Sequence, residues 1–310
     1  MTPIDQPVLQ ATSQPVLRGR VLITGANGFT GVYARRELEA AGYQVIGSVA
    51  SGVVAANEVT LDITSIDACR QVMQSVRPDY VMHLAAISFV QHVNVEAFYR
   101  VNVIGTLNLL QAIAEVGLAP RRVLIASSAN IYGNATAGML SEATPPQPVN
   151  HYAVSKLAME HMVRTWNDRL PIVITRPFNY TGVGQLSHFL VPKIVSHFTQ
   201  HAPAIELGNI EIERDFSDVR MVARVYRALL ERDCAGETVN VCSGQAYALR
   251  DIILKMQEIA GYRIDVRVNP AFVRQSDVKI LIGSPAKLKE LIGDVGTITF
   301  DETLRWMAST

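Results

Sequence analysis

The sequence has no imbalance of charge: Lys and Arg together number 28, Asp and Glu also number 28, and the formal net charge at pH 7 is zero. No overall field exists to hold nucleic acid or an anionic membrane surface, so an anionic ligand has to be bound by a local site. Cysteine is scarce as well. Cys69, Cys234 and Cys242 are odd in number and lack metal-type spacing, which argues against a disulfide framework or a metal centre and fits a reducing cytoplasm. No run of about eighteen apolar residues is present, so no transmembrane helix is expected. The first residues carry prolines and polar side chains but no continuous apolar stretch, which argues against a signal peptide; residues 1–18 read as a loose tail.

What is there is a globular composition, 49% hydrophobic and 18% charged, spread over 310 residues. That length suggests one large α/β unit with a smaller lobe attached. From residue 20 onward, short apolar runs alternate with longer helical patterns, the signature of βαβ units and a doubly wound parallel sheet. RVLITG, YQVIGSV, EVTLDI, DYVMHLAA, RRVLIASS and PIVITRPFN are the strand candidates. GVYARRELEAAG, SIDACRQVMQSV and VNVIGTLNLLQAIAEVG between them read as helices near a 3.6-residue period. After Asn179 the alternation stops, and GVGQLSHFLVPKIVSHF begins an inserted helical segment. The expected division is a dinucleotide-binding Rossmann domain over 19–179 plus about 213–244, and a smaller α/β substrate lobe over about 180–212 plus 245–310.

TGANGFTG places Gly25, Gly28 and Gly31 directly after the strand RVLI and before the helix GVYARRELEA. In that context Gly25 permits a tight turn, Gly28 admits a pyrophosphate close to the backbone, and Gly31 lets helix and strand pack closely. The helix N-terminus then offers amide donors and positive dipole to the phosphates. The second strand ends in Ser48, Val49, Ala50 and Ser51, with no carboxylate to clamp an adenine ribose and no Arg to attract a 2′-phosphate. Arg35 and Arg36 are either partners for such a phosphate or a solvated helix face, and the balance slightly favours NADP over NAD. Asp62, ending the third strand, is either an adenine-side contact or a turn residue.

HYAVSK holds Tyr152 and Lys156 at i and i+4, on one helical face, and Ser128 ends the strand VLIASS 24 residues earlier. Three such groups at the carboxyl edge of one parallel sheet would converge on a cofactor crevice. Reducing a ketone by hydride requires a proton for the developing alkoxide, which a tyrosine supplies. A nearby ammonium is expected to lower the phenol pKa, and a serine hydroxyl to hold the carbonyl oxygen.

Gly25-x-x-Gly28-x-x-Gly31, HLAA at His83–Ala86, VNVIGTLNLL, SSANIYG and YAVSK together resemble the extended short-chain dehydrogenase/reductases over almost the whole chain. The resemblance implies catalysis by Ser128, Tyr152 and Lys156. It implies cofactor contacts from Gly25, Asn27, Gly28, Phe29, Gly31, Asp62, Ile63, Leu84, Ala85 and Ala86, besides Tyr152 and Lys156. It also places HLAA on a helix that packs the cofactor, gives Asn102 a supporting role, and implies a homodimer paired through two such helices. For HLAA and Asn102 a purely structural role stays open.

The carboxyl half narrows the resemblance. RPFN at Arg176–Asn179, IERDFSDVR, VNVCSG and VRQSDVKILIGSPAKL are similar to GDP-4-keto-6-deoxy-D-mannose reductases and GDP-mannose 4,6-dehydratases. That implies a GDP-linked 4-keto-6-deoxy sugar held by Ser88, Ser128, Asn179, Arg214, Arg274 and Asp277, two arginines opposite a diphosphate being sound physics. The dehydratases carry a Glu after the active-site serine, where this chain has Ala129 and Asn130, so elimination of water is unsupported. The reductases follow the Asn with His and read G-P-G-Q, where this chain has Tyr180 and Gly182-Val183-Gly184-Gln185. Met221 and Gln275 likewise replace an expected Asp and Pro, which leaves the product epimer at C4 open. The expectation is NAD(P)H-dependent reduction at C4 to GDP-D-rhamnose or GDP-6-deoxy-D-talose. A nucleotide-sugar 4-epimerase retaining NAD and a non-catalytic NAD(P)-sensing protein are the rival readings.

Overall fold

A computed structural model describes residues 18–52, 54–88, 94–135, 138–272 and 280–310. The first half alternates as the sequence pattern requires: β1 (Arg20–Thr24), α1 (Phe29–Ala40), β2 (Gln44–Val49), β3 (Glu58–Thr60), α2 (Ile66–Val76), β4 (Tyr80–His83). α3 (Val95–Tyr99), a π-helical segment (Arg100–Gly105), α4 (Thr106–Glu115) and β5 (Arg122–Ala126) follow. Then come a 3-10 turn (Ala129–Tyr132), β6 (Met139–Leu140), α5 (His151–Arg164), β7 (Ile172–Pro177) and β8 (Asn179–Thr181). The remainder holds α6 (Leu190–Thr199), β9 (Ala204–Leu207), β10 (Glu213–Asp218), α7 (Val219–Glu231), β11 (Thr238–Val241) and β12 (Ala246–Ala248). It closes with α8 (Leu249–Ala260), β13 (Asp265–Val268), β14 (Ile280–Gly283), α9 (Ala286–Ile292) and α10 (Phe300–Ala308).

Seven strands form one parallel sheet in the order β11-β7-β5-β4-β1-β2-β3. All six strand candidates lie in it, and VNVCSG supplies the seventh as β11, in register with β7 from Thr238 opposite Ile174. Their unbroken apolar runs follow from burial on both faces. On one face Ala34 and Leu38 of α1 and Val222 and Tyr226 of α7 pack against Val21, Ile23 and Met82. On the other, Met73 of α2, Leu109 and Ile113 of α4 and Met159 of α5 pack against Leu22, Val81 and Ile125. The order reverses between β1 and β4, and Thr24 stands opposite both Ser48 and His83 at the carboxyl edge, where α/β sheets of this kind bind ligands.

The chain after β7 builds a second, smaller core. β10 lies between β12 and β14, β8 runs beside β10, and β9 pairs with β13. α6, α8 and α10 cover this region through Val191, Ile194, Phe198, Ile252, Met256 and Leu304. Of the stretch 213–244, α7 packs on α1 and β11 joins the large sheet, whereas β10 belongs to the small one.

Two local expectations need correcting. HLAA is not helical: His83 ends β4, and the segment beyond it is irregular because Leu84 N donates to Thr24 O and Ala85 N to Thr24 Oγ1, committing its backbone to β1. VNVIGTLNLLQAIAEVG is also not one uniform helix. It opens as the π-helical segment, a deviation that turns buried Asn102 inward and marks functional regions in many helices.

Candidate active site

The turn after β1 has the geometry its glycines suggested. Gly25 sits at φ +71°, and a Cβ there would meet the Ala85 backbone at 2.9 Å, so only glycine fits. At Gly31 a Cβ would meet the Gly25 carbonyl oxygen and Ala26 Cα, which is how close α1 runs to the turn. At Gly28 it would meet just the Gly25 oxygen, at 3.2 Å, leaving the outer side of the turn clear. Gly28 is the N-cap of α1, no side chain caps the helix, and no acidic residue occupies the first turn. The first-turn amides are therefore donors without an intrahelical acceptor, aimed where Gly28 leaves space. This cradle fits the pyrophosphate of a nicotinamide dinucleotide. Asn27 and Phe29 adjoin Gly28 in the chain, and the Leu84–Ala85 backbone at the end of β4 presses on the turn, 2.9–3.2 Å from a Cβ placed at Gly25.

Ser128, Tyr152 and Lys156 are brought together beyond β5. Asn150 caps α5 by accepting from Ala153 N at 2.9 Å, which places Tyr152 and Lys156 in its first turns. Both are buried. The Lys156 ammonium donates to Ala126 O at 2.7 Å, two residues before Ser128, and the Ser128 hydroxyl stands near enough to the Tyr152 phenol to act on its titration. Burial pushes Tyr152 up to about 12, opposed by the hydrogen bond from Ser128 and reinforced by the neighbouring Tyr180. Burial also pulls Lys156 down to about 8, against the field of Glu160. The expected lowering of the phenol by Lys156 is thus not seen: desolvation outweighs it, and the ammonium is turned to the Ala126 carbonyl.

Asn102 is almost fully buried, accepts from Ile87 N and donates to Ile87 O and Ser155 Oγ, tying the segment after β4 to α5. His83 bonds Thr24 Oγ1 through Nδ1 and Thr106 Oγ1 through Nε2, and burial holds it near 3, as a neutral ring. Asp62 Oδ1 accepts from Thr64 N and Oγ1, a turn arrangement that keeps the exposed carboxyl below its usual range. Ile63 is buried against Gly105. Arg35 is not a solvated helix face: it pairs with Glu58 at 3.0 Å across β2, whereas Arg36 lies over the Tyr33 ring. Ser88 is exposed at the end of the segment after β4. Asn179 Nδ2 reaches Asp215 O at 3.4 Å, and Arg214 Nη1 donates to Glu213 O. Arg274, Gln275 and Asp277 lie outside the described residues.

Three relationships were not anticipated from the sequence. The Tyr180 hydroxyl and Thr30 Oγ1 are 2.7 Å apart, and the Tyr180 ring stacks on Phe29 at 6.1 Å, linking β8 to the first turn of α1. Glu160, one turn beyond Lys156, takes a two-point ion pair from Arg176. Asn130 donates twice to Ser128 Oγ, from its backbone at 3.2 Å and from Nδ2 at 3.1 Å. Spacing gave a signal for Glu160, which continues the i+4 series of Tyr152 and Lys156. Among the described residues no group of three or more His, Cys, Asp or Glu side chains is placed to hold a metal ion, and no helix is long and apolar enough to cross a membrane.

Comparison with known proteins agrees with this geometry. Residues 22–307 match the family model described as GDP-mannose 4,6 dehydratase. A curated relative, GDP-6-deoxy-D-talose 4-dehydrogenase of Aggregatibacter actinomycetemcomitans, is 38% identical over 278 residues, covering 89% of this chain and 92% of its own. A solved structure from Burkholderia cenocepacia J2315, provisionally named an epimerase, superposes with a TM-score of 0.90 at 48% identity, over 94% of this chain and 98% of that one. The structure of RMD from Pseudomonas aeruginosa complexed with NADPH superposes with a TM-score of 0.83 at 30% identity, again over 94% and 98%.

Proposed function

The chain belongs to the GDP-mannose 4,6 dehydratase family of NAD(P)-dependent, nucleotide-sugar-modifying extended short-chain dehydrogenases/reductases, and on that premise we propose that it reduces the C4 ketone of GDP-4-keto-6-deoxy-D-mannose. The product would be GDP-D-rhamnose or its C4 epimer GDP-6-deoxy-D-talose. The observation that carries this reading is the convergence of Ser128, Tyr152 and Lys156 at the sheet edge, beside the Gly25 turn and with no carboxylate following Ser128. The curated talose relative supports it, since its name describes the same C4 carbon oxidised in reverse.

NAD(P)H, when bound, supplies the hydride. Tyr152 Oη passes its proton to the C4 oxygen as charge develops there, and its raised pKa keeps it protonated for that task at neutral pH. Ser128 donates a hydrogen bond to the same oxygen. Lys156, fixed on Ala126 O, keeps donors free toward the cofactor side and offsets charge on the phenolate left behind. By the resemblance, Asn179, Arg214, Arg274, Asp277 and Ser88 are the residues that would hold the GDP and the sugar. Val95, Ile104 and Val154 are exposed on α3, the π-helical segment and α5, which supports pairing of two copies through these elements.

The test is product identification after incubating the protein with GDP-4-keto-6-deoxy-D-mannose and either reduced cofactor. A GDP-6-deoxyhexose with an axial or equatorial C4 hydroxyl supports the reading; unchanged ketosugar refutes it. The Burkholderia structure favours a second reading, a 4-epimerase, which would convert a sugar nucleotide with no net consumption of cofactor.

A further inference from the structure

We propose that Asn130 is a positioning residue that fixes Ser128 as a hydrogen-bond donor to the reacting oxygen. The inference rests on the reduction reading for its kinetic consequences and on geometry for its cause. A serine hydroxyl has one hydrogen and two lone pairs. Asn130 approaches Ser128 Oγ with two N–H groups, the backbone amide at 3.2 Å and Nδ2 at 3.1 Å, and so takes up both lone pairs from one side. The hydroxyl hydrogen is left to point the other way. In the free protein its neighbour on that side is the Tyr152 phenol, whose titration Ser128 lowers. With a ketone bound it points to the C4 oxygen, which gathers negative charge as the hydride arrives.

The local backbone makes this arrangement rigid. Ser128 is the N-cap of the 3-10 turn Ala129–Tyr132, whose Ile131 and Tyr132 are fully buried. The backbone bond from Asn130 sets the position of Ser128 Oγ, and the side-chain bond sets the direction of its hydrogen. A carboxylate at 130 would reverse that direction, because it accepts where the amide donates. The serine hydrogen would turn toward the carboxylate, and a lone pair would then face the developing alkoxide.

Two variants separate this role from simple capping, which both would leave intact through the backbone amide. Asn130→Asp, nearly the same shape, should lower kcat by about 10²–10³-fold at pH 8, the loss typical of one missing oxyanion donor. Its activity should rise again relative to wild type as pH falls toward the carboxyl pKa of about 4, where a protonated Asp side chain donates again. Cofactor KM should stay within about threefold. Asn130→Ala should lose only about fivefold, since the hydroxyl then rotates freely instead of being reversed. An Asn130→Asp enzyme with wild-type kcat from pH 5 to 9 overturns the proposal.

A readout independent of turnover is the phenolate titration of Tyr152, taken at 295 nm as the difference between each protein and its Tyr152→Phe counterpart in the NAD(P)+-loaded state. Asn130→Asp should move that titration upward by about half to one pH unit, because the phenolate loses its serine donor. An unmoved titration overturns the proposal. A shifted titration in a protein that leaves every GDP-linked ketosugar unreduced would reject the assigned reaction while supporting the role of Asn130.

Discussion

Arg176 grips Glu160 at two points, Nε to Oε1 at 2.9 Å and Nη2 to Oε2 at 2.7 Å, one helical turn from Lys156 and with both side chains buried. The same guanidinium donates through Nη1 to the Tyr132 hydroxyl, which donates in turn to Asn240 Oδ1. Glu160→Gln would leave Arg176 charged and half-paired in the core, and the expected loss is about 3–5 kcal/mol of stability. It should also remove the field that supports a charged Lys156. Urea denaturation of the variant checks the first effect; a midpoint equal to wild type would contradict it.

His83 sets an acid limit. Its folded pKa, near 3, lies below the ordinary 6.5, so the unfolded chain takes up a proton across that interval while the folded chain does not. Stability contributed by the neutral ring is complete above about 6.5 and is lost as pH falls toward 3, by at most about 5 kcal/mol. Replacing it by Gln should flatten the slope of unfolding free energy between pH 6.5 and 4. An unchanged slope would place the acid sensitivity elsewhere.

The glycines of the first turn should separate folding from binding. Gly28→Val keeps an allowed backbone and meets only the Gly25 oxygen, so the protein should fold yet lose most of its NAD(P) affinity. Gly25→Val would strain a positive φ and press on the Ala85 backbone, and should lower the melting temperature as well. Calorimetric titration with cofactor, beside thermal melts, distinguishes the two. Full affinity in Gly28→Val would remove this turn from the cofactor site.

Tyr152→Phe keeps the ring against Phe98 and removes the transferable proton. Turnover should fall about 10²–10⁴-fold while cofactor affinity stays close to wild type. A variant retaining a tenth of wild-type turnover would deny Tyr152 the role of proton donor.

Arg274→Ala tests the nucleotide end of the proposed substrate. The sequence resemblance places Arg274 on the diphosphate or ribose, remote from the reacting carbonyl, so KM for the GDP-sugar should rise about 10- to 150-fold with kcat largely kept. A KM within about twofold of wild type would take that contact away.

Much of this architecture was legible because the relevant information is local. Buried parallel strands are contiguous apolar runs, the Gly25 turn needs a positive φ that its own residue supplies, and Tyr152 and Lys156 share a face through helix geometry alone. What escaped depends on pairs distant in sequence or on hydrogen direction. Asp215, buried in β10, accepts from Ser243 N and Oγ and from Gly244 N, a junction no periodicity announces. Tyr180 reaches Thr30 across 150 positions. The desolvation that lifts Tyr152 depends on how tightly distant segments close over it, which spacing does not encode.

The proposed reaction spends a reduced nicotinamide on a GDP-linked 4-keto-6-deoxy sugar, and absorbance at 340 nm reads it directly. GDP-, UDP- and dTDP-linked 4-keto-6-deoxy sugars should each be offered with NADH and with NADPH. The expected result is stoichiometric loss of absorbance with the GDP sugar, at a kcat/KM at least about tenfold above the other two, the discrimination that base-specific hydrogen bonds provide. No loss with the GDP sugar, or its conversion with the absorbance unchanged, would rule out reduction at C4.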